Sequence, residues 1–180
     1  ADTNNQRIQK LNSSGSFIAE YGASYEQSFG GGNGQFYLPA DSTTDSTGNI
    51  YVADAQNQRI QKFDSNWNYI TKWGSASIGP YGSSNSGGGN GEFNIPASVT
   101  TDSNNNIYVA DYLNNRIQKF DSNGTFITKW GSTDVGSYGG SAESGANGEF
   151  KRPFGIAADS SNNIYVADSG NNRIQKFDSN

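Results

Sequence analysis

The sequence predicts an all-β fold of radially repeated, four-stranded antiparallel sheets, a β-propeller, and two observations predict it. A stretch at Asn163–Phe177 (NIYVADSGNNRIQKF) recurs as Asn106–Phe120 (NIYVADYLNNRIQKF) and Asn49–Phe63 (NIYVADAQNQRIQKF), with a truncated copy, ADTNNQRIQKL, at Ala1–Leu11. The arginines that mark the copies, Arg7, Arg59, Arg116 and Arg173, are 52, 57 and 57 residues apart. Self-similarity at such a period belongs to solenoids, propellers and arrays. The second observation is that each unit divides into four short strand-like runs parted by turn residues, with no helical periodicity.

Taken in order, the first strand of a unit is Pro153-Phe-Gly-Ile-Ala-Ala-Asp159, small and apolar. Its counterparts have drifted to Pro96-Ala-Ser-Val-Thr-Thr-Asp102 and Pro39-Ala-Asp-Ser-Thr-Thr-Asp45, so the surface these strands line is polar. Ser160–Asn163 is turn chemistry, and Ile164–Asp168 follows as a β-branched and aromatic strand. After a second turn at Ser169–Asn172, Arg173–Phe177 alternates polar and apolar as a third strand. The fourth is exemplified by Thr125-Phe-Ile-Thr-Lys-Trp130, entered through the turn Asp121–Gly124. Long Gly/Ser-rich loops, Gly74–Ile95 and Gly131–Arg152, join one unit to the next. They end in a shared cassette, Asn90-Gly-Glu-Phe93 and Asn147-Gly-Glu-Phe150, matched by Asn33-Gly-Gln-Phe36. Loops of this length are uncommon without a function, and their repetition places them all on one face. The units are thus 1–38 (a partial blade of third and fourth strands plus a loop), 39–95, 96–152 and an incomplete 153–180.

The run P-x-G-I-A-x-D, then N-I-Y-V-A-D-x-x-N-N-R-I-Q-K-F, then F-I-T-K-W-G resembles the NHL repeat of six-bladed propellers over nearly the whole chain, the long loops excepted. The resemblance implies six blades in a closed ring. Arg7–Leu11 and Arg173–Phe177 fill equivalent slots, so a chain closing on itself would carry a surplus strand. The chain is therefore expected to be a stretch of a longer array, or to complete a ring with another copy. Phe17, Ile18 and Tyr21 on the orphan fourth strand, and Arg173, Ile174 and Phe177 on the last third strand, are the candidate assembly residues, because open sheet edges attract pairing.

Composition limits the chemistry. There is no Cys, His or Met, so disulfides, thiolates and imidazole metal sites are excluded. The missing Met and the start within a repeat suggest a processed product. A net charge of −5 disfavours broad phosphate-backbone binding to nucleic acid, and no apolar run is long enough to span a membrane. Asn12 and Asn123 fit the glycosylation acceptor pattern.

Asp54, Asp111 and Asp168 each precede Arg59, Arg116 and Arg173 by five residues. Their presence in every unit points to structural Asp–Arg pairs rather than a catalytic set. Asp64-Ser-Asn-Trp-Asn68 and Asp102-Ser-Asn-Asn-Asn106 have calcium-loop spacing but lack the loop's Gly and distal Glu, so no metal or cofactor is expected. Trp73, Trp130 and Tyr21 share a fourth-strand slot that suits packing between units. Trp67 sits at a hairpin tip, and Tyr25, Tyr81 and Tyr138 lie inside the long loops; these four are the candidate contacts for a glycan or protein ligand. Lys151-Arg152 is the one basic pair outside the repeat slots and reads as a solvated pair. Among NHL-like propellers, the resemblance ties amidating-lyase activity to His and Cys, which are absent, and lactonase-like activity to a channel calcium, for which Asp41 is a lone carboxylate. The expectation is a non-catalytic extracellular or cell-surface scaffold that self-associates; a carbohydrate- or protein-binding module and a degenerate calcium-dependent hydrolase are the alternatives.

Overall fold

The computed structural model describes residues 1–22, 30–74, 86–131 and 145–178. Tyr25, Tyr81 and Tyr138 fall outside them. The described residues form antiparallel sheets and single 3-10 turns. A two-stranded sheet pairs β1 (Arg7–Leu11) with β2 (Phe17–Gly22). Two complete blades follow: β3 (Pro39–Thr44), β4 (Ile50–Asp54), β5 (Arg59–Phe63) and β6 (Tyr69–Gly74), then β7 (Pro96–Thr101), β8 (Ile107–Asp111), β9 (Arg116–Phe120) and β10 (Phe126–Gly131). A three-stranded sheet of β11 (Pro153–Ala158), β12 (Ile164–Asp168) and β13 (Arg173–Phe177) ends the arc, and the ring is not closed.

The expected turn between second and third strands is a 3-10 turn, as at Ala55–Asn57, ended by a residue in the left-handed region. Gln6, Gln58, Asn115 and Asn172 fill that slot with φ of 56°, 52°, 52° and 53°. Asn tolerates this conformation better than most residues, and the conformation turns the chain directly into the third strand.

The Ile-Tyr-Val-Ala run is continuously apolar because both its faces are buried between blades. Tyr51 and Ala53 join Val99, Ile107 and Val109 of the next blade in one core. Ile50 and Val52 face the other way, onto Ile8 and Phe36. The cassette phenylalanines Phe36, Phe93 and Phe150, each 0% exposed, plug successive blade interfaces. The sequence shows them only as the ends of polar loops.

The fourth-strand aromatics pack between blades as expected. Gly124, at the tip of one hairpin, lies directly on the Trp73 indole. One junction earlier the sizes are exchanged: Tyr21 replaces the Trp, and Trp67 replaces the Gly. Their rings stack at 3.9 Å and 11°, so Trp67 fills the space that Tyr21 leaves. Trp67→Gly is expected to cost about 2–3 kcal/mol by opening this junction, offset in part by relief of its φ of 65°. Adding Tyr21→Trp should restore much of the loss. Urea denaturation of both variants checks this; a double variant no more stable than Trp67→Gly rejects the volume exchange.

Candidate functional site

Innermost strands β3, β7 and β11 lie side by side and form the concave wall of the arc. Between them they carry one ionisable side chain, Asp41. Its carboxylate crosses to the next blade and accepts hydrogen bonds from the Ser98 hydroxyl at 2.5 Å and the Val99 N–H at 3.1 Å. It also accepts the Ser42 N–H at 2.8 Å. Ser98 Oγ in turn accepts the Ile156 N–H of the third blade at 3.4 Å. The equivalent position there is Gly155, so three near-identical repeats place three different groups, carboxylate, hydroxyl and hydrogen, along one rim. Ser98 gave no signal in the sequence beyond the drift of its first strand away from the apolar pattern.

The Asp–Arg pairs are clamps on the loop ends. Arg59 Nε donates to Asp54 at 2.7 Å, while Nη1 and Nη2 donate to the carbonyls of Gly31, Gly32 and Gln35. Asn57 and Gln61 donate to the same carboxylate, as does the Tyr37 N–H. Arg116 repeats the arrangement with Asp111, Gly88, Gly89 and Glu92, and Arg173 with Asp168, Gly145, Ala146 and Glu149. Each clamp thus fixes the cassette at the end of a long loop. Burial pushes Asp111 up to about 6 and raises Asp54, against the Arg, Asn and backbone donors that pull both down. At Asp168 burial still raises the carboxyl, but the Lys151 N–H, Asn171, Arg173 and Gln175 together outweigh it and hold it low. The difference is solvent: the Arg116 side chain is 0% exposed and that of Arg173 is 26%.

The calcium-like runs are turns. Asp102 accepts from the Asn104 and Asn106 N–H groups, the Asn106 amide and the Tyr108 hydroxyl at 2.8–2.9 Å. Asp64 accepts from the Asn66 and Asn68 N–H groups and the Asn68 amide. Among the described residues no three carboxylates gather to hold a metal. At the equivalent turn, burial opposes ionisation of Asp45, but donors from Asn49, Thr47 and Tyr51 hold it at about 2.

Asn12 and Asn123 lie in exposed hairpin turns. Among the assembly candidates, Phe17 and Ile18 are 60% and 52% exposed, but Ile70 and Ile127, which share the slot of Ile18, are 47% and 48% exposed. Exposure at the Ile18 slot is thus common to every outer strand, whereas Phe17 is exposed where its counterparts Tyr69 and Phe126 are half-buried. Ile174 differs, at 67% exposed against 0% for Ile60 and Ile117. Phe177 packs on Trp130 and Phe150, and Tyr21 on Trp67.

The NHL repeat model matches residues 36–63, 93–120 and 150–177, each match opening on a plug phenylalanine and closing on the third strand. The chain is 31% identical over 127 residues to NHL repeat-containing protein 3 of Mus musculus, covering 68% of this chain and 34% of that protein. It is 28% identical over 176 residues to a probable peptidyl-alpha-hydroxyglycine alpha-amidating lyase of Caenorhabditis elegans, covering 97% and 43%. Peptidyl-glycine alpha-amidating monooxygenase of Mus musculus is 32% identical over 153 residues, covering 81% and 14%. The chain therefore spans less than half the length of these relatives. A streptogramin B lyase structure superposes with a TM-score of 0.58 at 19% identity, covering 99% of this chain and 47% of that one, which shows the shared propeller fold.

These relatives overturn the expected non-catalytic, self-associating scaffold, since propellers similar along most of the chain are enzymes. Absence of His and Cys removes imidazole and thiolate chemistry but leaves carboxylate and hydroxyl chemistry open. The repeats also supply the asymmetry a reaction needs, at Asp41, Ser98 and Gly155. By its three repeat matches and its NHL repeat-containing relatives, the chain belongs to the NHL-repeat family of β-propellers.

Proposed function

We propose that this chain is part of an enzymatic propeller that cleaves a peptidyl substrate by lyase chemistry, with the concave wall as the substrate surface. The observation that carries this reading is the alignment of 97% of the chain with an amidating lyase. A site built on His and Cys does not fit a chain that has neither, so no step is assigned to one. For a peptidyl-α-hydroxyglycine, cleavage requires loss of the hydroxyl proton, breakage of the C–N bond as the C=O of glyoxylate forms, and return of a proton to the amide nitrogen. Asp41 is the acceptor for that proton in this reading, and Ser98, hydrogen-bonded to it, orients the carboxylate. Completion of the ring by adjoining repeats and an extracellular or cell-surface location belong to the same proposal. The first is supported by the open edge of β13, the second by an acidic composition rich in Asn, Ser and Gly.

The test is release of glyoxylate from an N-acetyl-phenylalanyl-α-hydroxyglycine substrate. Asp41→Asn is expected to lower kcat by about 100-fold or more, the usual contribution of a general base. No release by the unaltered chain, or equal release by Asp41→Asn, rejects the assignment.

A further inference from the structure

Not every departure from the near-perfect repeat is a packing exchange like that of Tyr21 and Trp67; three lie together at the rim between the second and third blades. Phe154, at the start of β11, is 58% exposed, whereas its counterpart Ala97 is 4% exposed and the third copy is Ala40. Tyr112, in the 3-10 turn Tyr112–Asn114, holds a slot filled elsewhere by Ala55 and Ser169. The two rings meet edge to face, 6.0 Å apart at 88°. Arg152 stands where the other units have Ile95 and Leu38. It is exposed, and its guanidinium makes no hydrogen bond or ion pair among the described residues. Its backbone is fixed, with φ of 52° and its N–H donated to Asn115 Oδ1 at 2.7 Å.

We propose that Tyr112, Phe154 and Arg152 form a subsite for an aromatic carboxylate, of the kind presented by the C-terminal aromatic residue of a peptide. An edge-to-face pair with one ring open to solvent accepts a third ring by the same offset geometry that holds the first two. A guanidinium fork with no partner among the described residues matches a carboxylate with two parallel hydrogen bonds. The Arg152 N–H bond to Asn115, the residue that ends the Tyr112–Asn114 turn, holds the cation at the same junction as the two rings. In a chain of net charge −5, a cation outside the repeat slots draws an anion to this rim against the general field. The subsite stands on these contacts alone and does not depend on the lyase reading.

The probe is N-acetyl-L-phenylalanine, titrated into isotope-labelled protein and followed by NMR at the Tyr112 and Phe154 rings. Saturable shifts at both rings are expected in the millimolar range. N-acetylphenylalaninamide, which lacks the charge, and N-acetylglycine, which lacks the ring, should each bind about tenfold more weakly. Phe154→Ala and Arg152→Gln alter exposed side chains, so each should leave the backbone amide spectrum in place while removing saturable binding. Absence of saturable shifts in the unaltered chain, equal affinity for the three probes, or unchanged binding to either variant overturns the subsite. Because the readout is binding, its failure is distinct from a failure of glyoxylate release.

Discussion

Arg116→Ala is expected to destabilise the chain by about 3–5 kcal/mol, the range for breaking a buried ion pair by removing one partner. Both side chains of the Arg116–Asp111 pair are 0% exposed. The deletion strands Asp111 without its cation and takes the Arg116 donors from the carbonyls of Gly88 and Gly89, while the Glu92 carbonyl keeps the Gln118 amide. The loss should depend on pH, with a definite sign. Asp111 is already raised from 3.8 to about 6 by burial. A raised carboxyl contributes stability fully present below its unfolded value and lost as pH rises through its folded one. Removing the cation raises the folded value further, so the deficit of Arg116→Ala should grow from pH 5 to pH 8. Thermal or urea unfolding of the two proteins at both pH values measures it. Arg7→Ala is the control: Arg7 and Asp2 keep 29% and 30% of their side-chain surface exposed, so its loss should be far smaller. A deficit that is flat with pH, or equal for Arg7 and Arg116, contradicts the clamp as described.

The second large effect is expected at Gly74→Ala. Gly74 ends β6 at φ 126°, and an added Cβ would sit 2.4 Å from the Gln58 carbonyl oxygen, 2.7 Å from Arg59 Cα and 3.0 Å from the Phe93 ring. Two of these neighbours are backbone and cannot rotate away. The substitution should therefore cost about 3 kcal/mol or more, through left-handed strain together with displacement of the plug phenylalanine. Gly48→Ala separates the two causes. Its φ of 85° imposes strain, but its nearest neighbour is Ser65 Cβ at 3.4 Å. It should cost only about 1 kcal/mol. Denaturation midpoints give the comparison, and equal losses at the two sites would remove the steric argument.

Much of the fold was legible because the repeat is written in strand chemistry. NIYVAD and RIQKF mark β4, β5, β8, β9, β12 and β13, and the Asp-Arg spacing of five residues marks the pairs that close each 3-10 turn. The cassettes were legible as repeats, but not as plugs. Nothing in N-G-E-F shows that Phe93 lies between Ile60 of one blade and Val99 of the next. The rim at Asp41, Ser98 and Gly155 was equally hidden, because first strands look like decayed copies when read along the chain. Across blades they are neighbours joined by hydrogen bonds between residues 57 and 58 positions apart.

The sequence by itself determined the blade: which residues become strands, where they turn and which pairs recur, since these follow from local propensity and short-range spacing. Only the tertiary structure decided what the blades do to one another. It set the exchange of Trp67 and Tyr21 for Gly124 and Trp73, the burial of three loop phenylalanines, and the meeting of Tyr112 with Phe154. The physical reason is that near-identical repeats make near-identical sheets, whereas their differences become neighbours only when the sheets stack side by side.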